Sequence, residues 1–93
     1  MSLQIMHDVA GHRFTANVDG HLCVLEYRLA NSVMTITHTG VPEEVGGRGI
    51  ASGLMKAALE AARAAGWKVM PACSYAATFL QKHPKFEDLR FQQ

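Results

Sequence analysis

From Arg13 to Val18 apolar and polar residues alternate, with Phe14, Ala16 and Val18 set against Arg13, Thr15 and Asn17. A period of two marks a strand with one buried face. Asp19-Gly20 follows, a pair that accepts the positive φ angles of a two-residue hairpin turn. Cys23, Leu25, Tyr27 and Leu29 then alternate with Glu26 and Arg28. Asn31-Ser32 marks the next turn, and Val33 to Thr39 forms a third strand rich in β-branched residues. Strict alternation there puts Met34, Ile36 and His38 on one face, with Val33, Thr35, Thr37 and Thr39 on the other. After Pro42 the period changes. Ile50, Leu54, Ala58, Ala61 and Ala65 recur at helical spacing, widened by Met55, Leu59 and Ala62, and Gly66 stands where a left-handed residue closes a helix. Trp67 to Ala72 is a short, mostly apolar run that reads as a strand buried on both faces. Ser74 reads as the N-cap of a second helix that passes through Phe79 and Leu80 and ends before Pro84. The tail from Phe86 to Gln93 fits a short strand or a turn.

The expected order is therefore β-β-β-α-β-α, an α/β (α+β) fold. The third strand, the long helix and the fourth strand form a βαβ unit, whose right-handed crossover makes those two strands parallel. The sheet is mixed and mostly antiparallel, with one parallel pair. A chain of 93 residues builds one domain, residues 1–93, around a single core.

Composition then narrows the partners. The formal net charge of +1 gives no electrostatic case for nucleic acid or an anionic membrane. The apolar runs are too short to span a bilayer, and Met-Ser-Leu-Gln does not open like a signal peptide. Cys23 and Cys73 form no C-x-x-C pair, and two reduced thiols in a cytoplasmic protein are expected. The five histidines show no metal-ligand spacing, so no metal is expected.

The stretch GVPEEVGGRGIASG is the chemically suggestive one. Gly46, Gly47 and Gly49 lie between a strand and a helix, where bare backbone amides and the helix dipole suit a diphosphate. Arg48 stands among them and can add a charge-assisted contact. A Walker loop is excluded, because Gly49-Ile50-Ala51-Ser52 has no lysine. A Rossmann fingerprint is excluded too, because Ser52 replaces its third glycine and a β-meander precedes it. Spacing alone leaves two readings: a coenzyme A diphosphate loop, and a glycine turn without a ligand.

The segment resembles motif A of the GNAT superfamily, [Q/R]-x-x-G-x-[G/A], with Gly49 and Ala51 at its last two fixed positions and Gly46 departing from the first. Four elements occur in order: H-T-x-V-P from His38, G-x-G-I-A from Gly47, P-x-C-x-[YF] from Pro71, and His83-Pro84. Together they resemble the small, stand-alone GNAT branch over about Phe14 to Phe86.

The resemblance implies acetyl-coenzyme A in a gap between the strands Val33–Thr39 and Trp67–Ala72. Its pantetheine would bond the backbone near Gly40 and Val41, and its diphosphate the amides of Gly46, Gly47, Arg48, Gly49, Ile50 and Ala51, with Ser52 in the first helical turn. The implied function is transfer of acetyl to a primary amine, including one on a peptide or protein. The alternative is a non-catalytic acyl-coenzyme A sensor, which needs no acid or base. Larger relatives carry helices between their first two strands. Here Asp19-Gly20 joins the expected first two directly, which leaves an open acceptor side or a site completed by another subunit of an oligomer.

Acetyl transfer needs a neutral amine, donors for the oxyanion and a leaving thiolate. An alkylamine with a pKa of about 10.4 costs roughly 4–5 kcal/mol to deprotonate at pH 7, hence a base. His38 is the candidate at neutral pH, against a sheet-surface or core histidine. Glu43 or its neighbour Glu44 can take a proton through water, or merely be solvated. Cys73 is either a nucleophile or acid–base group beside the thioester, or a small core filler. Tyr75 can protonate the departing sulfur or pack at the helix start. Phe79 stands near where many GNAT enzymes carry a tyrosine, and it cannot donate a proton. A backbone N–H near Gly40 or Val41 would hold the oxyanion.

Overall fold

The strand from Arg13 does not open the sheet. In the computed structural model, which describes residues 3–91, a three-residue strand precedes it. The elements are β1 (Met6–Asp8), β2 (Arg13–Val18), β3 (His21–Ala30), β4 (Val33–Gly40), α1 (Ile50–Ala65), β5 (Lys68–Pro71) and α2 (Ser74–Lys82). The strands lie side by side in chain order, antiparallel except for the parallel pair β4–β5. The mixed sheet and its βαβ unit are as the pattern requires. The strand expected as the fourth is the fifth. Asp19-Gly20 thus joins the second and third strands, and the short link between the first and second is Val9 to His12. It is this link that leaves no room for intervening helices.

The two hairpin turns follow from residue type. Asp19 and Gly20 have φ of 51° and 80°, and Asn31 and Ser32 have 53° and 62°, the paired positive angles of a two-residue hairpin. The long helix begins and ends where expected. At its close Trp67 N–H reaches Ala62 O at 2.8 Å and Gly66 N–H reaches Arg63 O, the paired bonds of a Schellman motif with Gly66 left-handed at φ 78°.

One sheet face is dry. Phe14, Ala16, Cys23, Leu25, Tyr27, Met34 and Ile36 are buried there against Leu54, Met55, Ala58, Leu59 and Ala62 of α1. Cys23 is a core residue, and burial pushes its thiol pKa up. The other face stays wet, with Asn17, Leu22, Glu26, Arg28 and His38 exposed. β5 is shorter than its apolar run and only Val69 in it is fully buried, so it is not covered on both faces. The expected tail is a 3-10 helix, Pro84–Leu89, that sinks Phe86 and Leu89 into the core. Arg63 ties it to α1 through both oxygens of Asp88, at 2.8 and 3.1 Å. Phe91 N–H then bonds Val69 O at 2.8 Å. Gln92 and Gln93, the end of that tail, lie outside the described residues.

The edge strand β1 is held by a ring cluster. His7 stacks on Phe14 with centroids 4.0 Å apart, and its Nε2 lies 2.7 Å from the Tyr27 hydroxyl in a hydrogen bond. Burial lowers the His7 pKa, opposed by the nearby Asp8 carboxylate. A histidine whose native pKa is depressed binds its proton more readily when unfolded. Stability is therefore complete above about pH 6.5, the ordinary histidine value, and falls as pH drops from there to the native value. Urea melts between pH 5 and 7.5 should show that fall, and His7→Gln should flatten it.

Candidate active site

The site begins where β4 and β5 part. Their pairing stops at Ile36–Pro71. The amides of Ala72 and Cys73 both donate to the Ile36 carbonyl, at 3.0 and 3.1 Å, and pin the chain at the fork. Beyond it, among the described residues, β4 runs on to Gly40 beside β3 alone.

A β-bulge sits at the same place. Tyr27 pairs with Ile36 and Glu26 with His38, so Thr37 is an extra residue in β4, and its hydroxyl donates to Glu26 O at 3.3 Å. One extra residue reverses the facing of all that follow. The alternation that put His38 beside Met34 and Ile36 is thus broken: they are buried and His38 is exposed on the wet face opposite Glu26. The His38 ring lies along the strand over Gly40. A Cβ at Gly40 would come within 2.9 Å of its Nε2. Thr39, by the same reversal, is level with buried Leu25, and its Oγ1 lies 3.9 Å from Cys73 Sγ.

Cys73, not Ser74, is the N-cap of α2. Its φ and ψ of −100° and 154° are extended, and its sulfur accepts the Ala76 N–H at 3.4 Å. Serine is the commoner cap by propensity. The register is set one residue earlier because the Cys73 amide is already bound to Ile36. That leaves the sulfur half-buried at the helix N-terminus. Tyr75 follows, 37% exposed. Burial raises its phenol pKa, partly offset by hydrogen bonding with Ser52, so it stays a proton donor near neutrality and is drawn to the first turn of α1.

The glycine loop completes the site. Glu43–Val45 form a single 3-10 turn in which both carboxylates are exposed and Val45 is buried as an anchor. Gly47 and Gly49 then take φ of 79° and 76°, a region open to glycine at little cost. Gly49 is the N-cap of α1 and offers no side-chain cap, so the first-turn amides of Ile50, Ala51 and Ser52 gain no partner from it. Arg48, between the two left-handed glycines, donates from Nη1 to Asp19 Oδ2 at 2.6 Å. An open groove of about 430 Å³ flanks this loop between Leu3, the β2–β3 turn and Gly53.

The family model described as GCN5-related N-acetyl-transferase matches residues 13–89. The chain belongs to the GCN5-related N-acetyltransferase family. It is similar to chicken (Gallus gallus) Protein NATD1, 32% identical over 85 residues that span 88% of this chain and 77% of that protein. It is also similar to the NMR solution structure of a GCN5-like protein from Staphylococcus aureus. That match has a TM-score of 0.77 and 33% identity, over 100% of this chain and 93% of the other.

Within this family fold the residues singled out in the sequence fall into two groups. Gly40, Val41 and Cys73 stand at or just past the fork, Gly46 to Ser52 and Tyr75 lie in the glycine loop and the first turns of the two helices, and Glu43 is exposed in the turn ahead of that loop. His38 stands on the other side of β4 from Cys73, and among the described residues no hydrogen bond joins them. Sequence reasoning missed Thr39, which touches the Cys73 sulfur, and Asp19, which holds Arg48. The H-T pair and the Asp-Gly turn were visible, but not what they would meet across the fold. Among the described residues no cluster of His, Cys, Asp or Glu is arranged to hold a metal, and no helix is long and apolar enough to cross a membrane.

Proposed function

We propose that the protein binds acetyl-coenzyme A along the β4–β5 fork and transfers its acetyl group to a primary amine. The observation that carries this reading is the fork itself. It opens at Ile36–Pro71 and is followed by a loop with two left-handed glycines that leads into a helix whose first amides lack a side-chain cap. Those amides fit a diphosphate, and the unpaired edge of β4 up to Gly40 fits the amide-bearing pantetheine arm. Family membership supports a transferase over a binding-only module.

The two faces of β4 divide the labour. His38, on the wet face, takes a proton from an incoming ammonium or amine. The amine nitrogen attacks the thioester carbon, a backbone N–H near Gly40 or Val41 holds the oxyanion, and the C–S bond then breaks. Coenzyme A leaves as a thiolate and is protonated from Tyr75 or solvent. Cys73 lies on the inner side, where its sulfur polarises or transiently accepts the acyl group. Glu43 and Glu44 sit exposed at the mouth and attract a cationic acceptor. With only Val9–His12 between β1 and β2, no helix walls the wet face, which suits an amine on a peptide or protein.

The test is twofold. Calorimetry with coenzyme A should give saturable binding, and acetyl-coenzyme A plus a panel of lysine peptides and small amines should release free thiol in proportion to amine. Binding without release on any amine would instead identify a sensor. No association at millimolar coenzyme A would end both readings.

A further inference from the structure

We infer that Asp19 is a positioning residue for the coenzyme A loop, acting through Arg48. The inference rests on the proposed diphosphate site and adds to it a residue from a turn distant in the chain but adjacent in space. Arg48 lies between Gly47 and Gly49, both with positive φ. Gly46 is also without a side chain, so Arg48 carries the one side chain in the stretch 46–49 able to anchor it. That anchor is Asp19, 29 residues away in the β2–β3 turn, with Nη1 and Oδ2 2.6 Å apart. The turn is rigid because both its residues are in the left-handed region required by a two-residue hairpin. The contact uses one nitrogen of the guanidinium. Its remaining N–H groups stay available to a phosphate, so one arginine can bridge carboxylate and ligand.

Two effects compete. The Asp19 carboxylate repels a diphosphate, which would weaken binding. It also holds a long side chain and two flexible glycines in one arrangement before the ligand arrives, which strengthens binding. Asp19 and Arg48 are half to two-thirds exposed, so repulsion at the distance of the helix N-terminus is screened by water and salt. The Asp19–Arg48 contact, at 2.6 Å, lies well inside the screening length and is weakened less than the longer-range repulsion, so preorganisation wins.

Asp19→Gly and Asp19→Asn are the clean variants, because both residues accept the left-handed angle and neither strains the turn. Coenzyme A affinity by calorimetry should fall about 2- to 5-fold in Asp19→Gly, the range of an exposed ion pair, and recover most of the way in Asp19→Asn, which keeps the acceptor oxygen. In an Arg48→Ala background, Asp19→Gly should change nothing further. Tighter binding in Asp19→Gly, or an equal loss in both backgrounds, would overturn the inference. Backbone NMR order parameters at Gly47, Arg48 and Gly49 in the free chain read the anchoring without any ligand. They should fall in Asp19→Gly, and unchanged order parameters refute the anchoring even if coenzyme A proves not to bind.

Discussion

His38→Ala should lower kcat for amine acetylation by about 10²- to 10⁴-fold, the usual worth of a positioned general base. Coenzyme A affinity should stay within twofold. The ring projects from the wet face of β4, whereas the glycine loop lies beyond Pro42. The loss should shrink as pH rises, because solvent then supplies more of the neutral amine. Cys73→Ala separates the roles of the two faces. If its sulfur only polarises the thioester, kcat falls about tenfold and the amine must be present before any thiol is released. If it carries the acyl group, stoichiometric thiol appears without amine in the parent chain and disappears in Cys73→Ala. Folding is a small risk in either variant. His38 is exposed, and Cys73 contributes one weak cap that serine would replace, so Cys73→Ser is the control for the cap.

That division of faces could not be read from the chain. The run Val33-Met-Thr-Ile-Thr-His-Thr alternates without a break, and nothing in it announces an extra residue. The bulge at Thr37 arises because β3 keeps pairing while β4 turns away from β5, a tertiary event with no local signature. The same holds for Cys73. Propensity favours Ser74 as the cap, but the fork places the Ile36 carbonyl so that it captures the Cys73 amide and the helix starts one residue early. β1 was missed for a different reason. Three residues are too few to show a period, and Met6–Asp8 is a strand only because β2 offers an edge and Tyr27 offers a hydroxyl to His7. What was legible was whatever is decided within a few residues: the two hairpin turns, the helix from Ile50 to Ala65 with its glycine stop, the βαβ unit and the glycine loop. These local elements are the ones that place the proposed diphosphate site, while non-local packing decides which side chains stand on each face of β4 at the fork.

The loop should respond in opposite directions to two substitutions. Gly49→Val puts a β-branched side chain at φ 76°, where an L-residue costs about 1–3 kcal/mol. The exposed loop will yield before the helix does, so Gly49 leaves the left-handed region and the amides of Ile50 and Ala51 turn away from a common point. Each charge-assisted bond lost to a diphosphate is worth about 1.5–3 kcal/mol, so coenzyme A affinity should fall about 10- to 100-fold. The free chain should lose no more stability than that strain, because Val45 and Ile50 keep both ends of the loop buried in the core. Gly46 is a different kind of glycine. Its φ of −66° suits any residue, and a Cβ there would meet no atom closer than Glu43 O at 3.4 Å. It is also the position at which this chain departs from the Gln or Arg of motif A. Gly46→Arg should therefore be accommodated and supply a second cation to the diphosphate, tightening binding about 3- to 10-fold, with a steeper salt dependence than the parent. Calorimetry at two ionic strengths checks both. Equal affinities for the three chains would mean that the diphosphate is held elsewhere, because no single loop conformation tolerates valine at 49 while its amides grip a ligand.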